Sequence, residues 1–424
     1  MRSSEPGLAL TGSTAQSSPP AAANGAGSGQ VLLFAAAVAI MVMNLFAVQT
    51  VAPSIARSLD LGKGSIGLLA MLPQLGYAMG LVLLVPLADR LENRRLIVSV
   101  IAVCALCMAA AAAAAGPAMF LLSVFLGGAS SCAIQMLVPM LAFMTPPERR
   151  GAVVGNVMSG LLVGVLLSRP VANLLDAAWG WRAIYACFAL AVGTLGLALW
   201  RLLPVRHPGP GPAYPALIAS MAALAREEPV LRWRSLLAAL GMAGYSVFWT
   251  AVSLLLSQPP FGIGPKGVAL LALCGVAGAL LAPWAGLAGD RGHTRRASFW
   301  AYIVVMLSWL LAGVAGAGWL GFDVAGHAAL AMGLLTVAAI ALDAAVTADQ
   351  TLGRRAVNMI RPEARGRLNA LFVGTFFVGS ALGSAAAGAA WSLGGWSGVS
   401  TLGVLIGAAM LLVFRASPRD MSAP

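Results

Sequence analysis

Apolar residues in this chain do not recur at the spacing of a surface helix; they fill whole windows. Twelve such windows run over approximately 31–54, 65–88, 96–115, 118–144, 152–175, 183–203, 235–257, 267–288, 297–318, 324–349, 367–390 and 397–415. Each reaches or nears the roughly 20 residues that a helix needs to cross a bilayer. Lipid offers no partner to a free backbone group, so runs of this kind predict helices rather than an open sheet. The third and eleventh are rich in Ala and Gly, which leaves their ends soft. Residues 204–215 (Pro-Val-Arg-His-Pro-Gly-Pro-Gly-Pro-Ala-Tyr-Pro) break any helix and divide the spans six and six. The expected organisation is a tail over 1–30, a six-helix bundle over 31–203, a linker over 204–230, a second bundle over 231–416 and a tail over 417–424. Within and beyond the linker, 216–234 mixes apolar residues with Arg226-Glu227-Glu228 and Arg232-Trp233-Arg234, a pattern that predicts an amphipathic helix on the membrane surface.

Composition agrees: of 424 residues, 60% are hydrophobic and only 9% charged, which excludes an ordinary soluble protein. The few charges are patterned. Asp89-Arg90 with Arg94-Arg95 recurs as Asp290-Arg291 with Arg295-Arg296, at the same internal spacing. Pro147-Glu148-x-Arg150-Gly151 recurs as Pro362-Glu363-x-Arg365-Gly366, and Gly180-Trp181 follows the first as Gly395-Trp396 follows the second. The chain therefore reads as two homologous halves in tandem.

The net charge of +12 reports topology. With the N-terminus inside, 21 of the 26 basic residues fall on cytoplasmic segments, while external loops hold only Arg57, Lys63, Arg182 and Lys266. That bias places both termini in the cytoplasm. The partner it implies is anionic lipid, not nucleic acid. Only two of the 26 basic residues are Lys and Ala is abundant, a composition of GC-rich bacterial genomes and hence of an inner (plasma) membrane protein. The first 29 residues lack the basic start and apolar core of a signal peptide.

Leu87-Ala88-Asp89-Arg90 with Arg94 resembles the loop between the second and third helices of the major facilitator superfamily, usually G-x-L-A-D-R-x-G-R-[RK]; Val85 and Glu92 replace its glycines. Gly286-Leu287-Ala288-Gly289-Asp290-Arg291 echoes it in the second half. The resemblance implies an all-α fold of two six-helix pseudo-symmetric bundles, acting by alternating access and as a monomer. It also implies a cytoplasmic latch formed by Asp89, Arg90, Arg94, Asp290, Arg291 and Arg295, with Glu148/Arg150 and Glu363/Arg365 extending the network. The branch it most resembles is bacterial drug and sugar efflux. The exporters' fifth-helix motif G-x-x-x-G-P-x-x-G-G survives here only as Gly160, Gly164 and Pro170, and the fourth-helix Arg has no counterpart in 118–144.

Two charges stand inside spans. Arg169 lies in the fifth, roughly 27 Å along a helix begun near residue 151. An intramembrane cation is expected to face the bundle interior, with snorkelling towards Asp176 as the alternative. Asp343, in the tenth, is the acidic residue deepest in an apolar run, and Thr347 and Gln350 share its face. A carboxylate there is the candidate for carrying a proton. It is expected in the cytoplasmic half of its helix and Arg169 in the outer half of its own, which argues against a direct salt bridge between them, with Asp349 nearer the interface. Other polar groups within spans are Asn44, Gln49, Gln74, Gln135, Asn156, Asn173, Tyr245 and Trp249. By resemblance, helices one, four, seven and ten line a cavity, so Asn44, Gln135, Tyr245, Trp249 and Gln350 are candidates for substrate binding or gating, and Arg169 joins them as an intramembrane cation of the fifth span. A mixed polar and aromatic lining suits an uncharged or amphipathic organic molecule.

Cys104-x-x-Cys107 sits in an apolar helix without a second pair, so it reads as packing. No phosphate loop, metal-spaced set or nucleophile triad occurs, and neither a cofactor nor an enzymatic activity is expected. The leading reading is a secondary transporter exporting a small organic molecule in exchange for protons. Proton-coupled uptake is the alternative, and a transporter-like receptor or lipid-handling protein is the different class.

Overall fold

The computed structural model describes residues 27–62, 65–209, 212–274, 282–361 and 364–418. The regular structure among them is helical throughout. The first three spans are α1 (Ser28–Ser58), α2 (Ser65–Leu83), which a 3-10 turn over Val85–Asp89 extends, and α3 (Asn93–Ala112). The fourth is two helices, α4 (Pro117–Ser130) and α5 (Ala133–Phe143). Next come α6 (Pro147–Trp179) and α7 (Trp181–Leu202), the short α8 (Tyr214–Glu227), and α9 (Pro229–Leu256). The eighth span is represented by α10 (Pro265–Cys274) and α11 (Ala282–Asp290). Then follow α12 (Thr294–Ala317), α13 (Ala328–Ile360) and α14 (Arg365–Ala416). Ten helical stretches among the described residues are long and apolar enough to cross a membrane. The 52-residue α14 contains two of the expected spans, because its backbone leaves helical geometry at Gly394 and Gly395.

That break explains one repeated phrase. Gly180 (φ +80°) separates α6 from α7, and Gly395 (φ +54°) separates the two limbs of α14. Both lie in the left-handed region that side chains disfavour. The Trp that follows each one is buried as an anchor. Trp181 packs edge-on against Phe120, and the Trp396 Nε1 donates to the Ala312 carbonyl at 2.8 Å.

The repeat extends to packing. Gly160 and Gly164 of α6 lie against the backbone of Ala35 and Ala39 in α1, and Gly379 and Gly383 of α14 lie against Ala239 and Ala243 in α9. Small residues one turn apart let two helices approach to backbone contact, a common source of adhesion where lipid supplies no hydrophobic drive. Contacts between the two repeats run along two seams, α2 against α14 and α6 against α10. Ring contacts cross between them too, Tyr77 with Phe377 at 4.5 Å and Phe46 with Tyr245 at 6.4 Å.

Three expectations change. The tenth span does not stop near 349: α13 continues to Ile360, which puts Asp343 at the middle of its helix rather than towards one end. Asp349 is consequently buried, not interfacial. The amphipathic helix occupies Tyr214–Glu227, burying Leu217, Met221 and Leu224 on one face, but Arg232-Trp233-Arg234 belongs to α9, where Arg234 is 1% exposed. Residues 1–26 and 419–424, together with Pro362 and Glu363, lie outside the described residues.

Candidate functional site

Arg169 turns inward. It is 3% exposed, and its NH2 donates to Gln49 Oε1 at 2.9 Å, joining α6 to α1. Asp176, the alternative partner, instead accepts from Ser54 Oγ at 3.0 Å. Three rings surround the guanidinium: its Cζ lies 4.4 Å from the Trp249 centroid, 5.1 Å from Tyr245 and 5.5 Å from Phe46. A desolvated cation–π contact stabilises by about 2 kcal/mol, so the aromatic cage offsets part of the cost of burying this charge.

Trp249 also touches the second charged group. Its Nε1 donates to Asp343 Oδ1 at 3.0 Å. The guanidinium and the carboxylate therefore meet through one indole and attract each other electrostatically, without a direct ion pair. No direct salt bridge between them is expected from the sequence, and none is present among the described residues; what the mid-helix position of Asp343 adds is that both reach the same indole. Three buried positions are incompletely bonded. Arg169 Nε and Gln49 Nε2 are buried donors without an acceptor, and the second oxygen of Asp343 receives no hydrogen bond among the described residues. A buried donor left unmade costs about 1–3 kcal/mol, so the arrangement is held by its surroundings at some expense.

From this centre a run of aromatic rings leads across to Tyr77. Phe46 meets Phe377 at 6.0 Å, and the Tyr77 hydroxyl accepts from Gln135 Nε2 at 3.1 Å. Gln135 Oε1 accepts in turn from Asn369 at 3.3 Å, bridging the two repeats. Asn44 is less central and donates to Ser131 Oγ at 3.2 Å. Gln350, at the matching position to Gln135 in the repeat, makes no side-chain hydrogen bond among the described residues.

A second polar cluster escaped sequence reasoning. Arg234 of α9 donates to Ser298 Oγ at 2.9 Å and lies 3.9 Å from Asp349, whose Oδ1 also accepts from the Tyr302 hydroxyl at 2.6 Å. It ties α9, α12 and α13 together. The clue in the sequence was an Arg and an Asp flanking apolar runs, which equally describes residues snorkelling at the interface.

The repeated charged loops behave differently. Asp89 and Arg90 are exposed and Arg94 half-buried, and none of the three has a side-chain hydrogen bond or ion pair among the described residues. Arg291 is likewise exposed, Arg295 donates to the Pro418 carbonyl at 3.0 Å, and the Asp290 side chain lies outside what is described. In the other phrase, Arg150 Nε donates to the Thr145 carbonyl at 2.9 Å and Arg365 Nε to Asn358 at 3.0 Å. Each thus occupies a carbonyl at the end of the preceding helix. On the same face Arg361 pairs with Glu227, the last residue of α8, and with the following Glu228, at 3.3 and 2.6 Å.

Residues 32–357 match the Major Facilitator Superfamily pattern. The chain is 37% identical over 384 residues to the transporter YgaY of Escherichia coli K12, covering 91% of this chain and 94% of that one. It is 32% identical over 388 residues to the transporter SCO4007 of Streptomyces coelicolor, covering 91% and 86%. Among solved structures, a D-xylose-proton symporter superposes with a TM-score of 0.70 at 14% identity, over 92% of this chain and 98% of that one. With the helical architecture above, these similarities establish that the chain is a multi-pass membrane transporter belonging to the Major Facilitator Superfamily.

Proposed function

We propose that the protein exports a small organic molecule across a bacterial inner membrane in exchange for protons. The observation that carries this reading is the meeting of Arg169 and Asp343 at Trp249, the guanidinium over its ring and the carboxylate on its Nε1–H. A buried carboxylate held by one indole N–H, with its other oxygen open, can accept a proton or a substrate donor, but not both at once. That competition is the elementary requirement for exchange. When ionised, Asp343 balances the charge of Arg169; when protonated, it releases the substrate and leaves the guanidinium to its aromatic cage. Rocking of residues 31–203 against 231–416 would present this site to each side in turn. The charged loops and both termini face the cytoplasm in this reading. There Asp89, Arg90 and Arg94, with Asp290, Arg291 and Arg295, latch the two repeats when the site opens outward. The transporter acts as a monomer.

Co-transport with protons is the second reading, favoured by the lack of any charged residue in 118–144, where the exporters' fourth helix carries Arg. Transport of a drug and sugar panel into proteoliposomes under an imposed pH gradient tests both. Exchange predicts proton movement opposite to substrate, abolished in Asp343→Asn, which retains facilitated movement without the gradient. Indifference of both proteins to the gradient would remove proton coupling altogether.

A further inference from the structure

The unmade bonds at the centre specify what the substrate carries. Arg169 Nε and Gln49 Nε2 are both donors, both buried, and their side chains are joined through the Arg169 to Gln49 hydrogen bond. An open acceptor on the same indole, Trp249, is the second oxygen of Asp343, which receives no hydrogen bond among the described residues. A ligand that completes all three must present an acceptor to the first pair and a donor to the carboxylate. Its charge follows from the same geometry. Ionised Asp343 already balances Arg169, so an anion would leave one uncompensated negative charge in an apolar interior and a cation one positive charge. A neutral group adds neither. The rings of Phe46, Tyr245, Trp249 and Phe377, edge-on or tilted to one another with neighbouring centroids 6.0–6.4 Å apart, make the surroundings of the remainder of the molecule aromatic and apolar.

We infer that the substrate is a neutral compound with an adjoining hydrogen-bond acceptor and donor, as in an amide or hydroxy-carbonyl, on an aromatic or apolar body. Gln49 and Arg169 bind the acceptor and Asp343 the donor. The inference rests on the exchange reading in one respect, that Asp343 is ionised when the substrate arrives. Gln49 thereby becomes a specificity-determining residue, through a side chain that otherwise has no use for its amide N–H groups.

Three probes with one body separate the possibilities: 3-phenylpropanamide, 3-phenylpropanoate and 3-phenylpropylamine. Calorimetric titration of the full chain in nanodiscs should show saturable binding of the amide, with the carboxylate and the amine weaker by about tenfold or more. Gln49→Met keeps the shape and removes the donor, and should weaken the amide by about tenfold. Amide binding should strengthen as pH rises in the wild type and become independent of pH in Asp343→Asn. Preference for the carboxylate or the amine, no saturable amide binding, or unchanged affinity in folded Gln49→Met would each overturn the inference. If Gln49→Met does not fold, the ranking of the three probes on the wild type decides alone. Proton-coupled transport with the carboxylate ranked first would sink this inference and leave coupling standing. Amide binding through Gln49 with transport indifferent to the gradient would do the reverse.

Discussion

Two Arg–Asp pairs are buried in the second repeat or at its border, and they differ in what surrounds them. Arg234 and Asp349 are 3.9 Å apart, with Ser298 and Tyr302 supplying further bonds. Arg169 and Asp343 share a tryptophan without a direct ion pair among the described residues and leave polar atoms unmade. The first arrangement fixes helices; the second keeps capacity for a ligand. Breaking a buried pair by removing one partner costs about 3–5 kcal/mol, since the other charge stays behind. Asp349→Leu should therefore lower the thermal unfolding midpoint in detergent by many degrees, whereas Asp343→Asn should lower it by less, because the aromatic cage stays on Arg169 and Asn keeps an acceptor for Trp249, while losing proton coupling. A small effect of Asp349→Leu on the midpoint would show that the cluster is not structural. Arg169 and Asp343 were legible in the sequence because each interrupts an apolar run. Arg234 and Asp349 were not, because each stands near Arg232 or Gln350 and Arg354, where a helix end at the interface has the same composition. Gln49 was visible only as one polar residue among several; its importance comes from a partner on another helix, 120 positions away.

At the scale of helices, the duplication is a packing rule as well as a sequence pattern. Gly164 against Ala39 and Gly383 against Ala243 are the same contact made twice, α6 on α1 and α14 on α9. A methyl at either glycine meets a backbone carbonyl, so the helices must separate along their length. Gly333 of α13 is the control, with no atom near the position a Cβ would take. Gly164→Ala and Gly383→Ala should each lower the unfolding midpoint. Gly333→Ala should hold or raise it, because Ala is favoured over Gly in a helix by about 1 kcal/mol. Equal midpoints for all three variants would mean that close approach is not what holds these helices. The spans themselves were legible because lipid imposes length and apolarity on every one. Their ends were less so. The division of the fourth span near Ser131 and Cys132 has no proline or charge to announce it. The extension of α13 to Ile360 runs through Arg354 and Arg355, residues that in a sequence signal a loop but on a helix emerging from lipid can snorkel.

For the molecule as a whole, the two repeats hold together unevenly along their seams. The α2–α14 seam is continuous from Gly67, whose Cβ position is 2.6 Å from the Ser384 carbonyl, to the bridge between Gln135 and Asn369. The α6–α10 seam joins the long α6 to the short α10. Towards the charged loops Asn156 and Ser159 of α6 are exposed, as are Trp284 and Leu287 of α11. Among the described residues Asp89, Arg90 and Arg94 have no side-chain hydrogen bond or ion pair, and the proposed latch has work only in the conformation that closes this face. Exposed charge pairs contribute about 0–1 kcal/mol each, enough to bias two nearly equal states but not to lock them. A cysteine pair at Leu91 and Gly366, one on the charged face of each repeat, would report the bias, with the exposed native Cys187 replaced by serine. Disulfide formation should rise when the outward-open conformation is populated and fall several-fold in Asp89→Asn, while Asp60→Asn, on the opposite face, leaves it unchanged. Equal crosslinking in the wild type and Asp89→Asn would leave the repeated Asp-Arg phrase with topology as its only role.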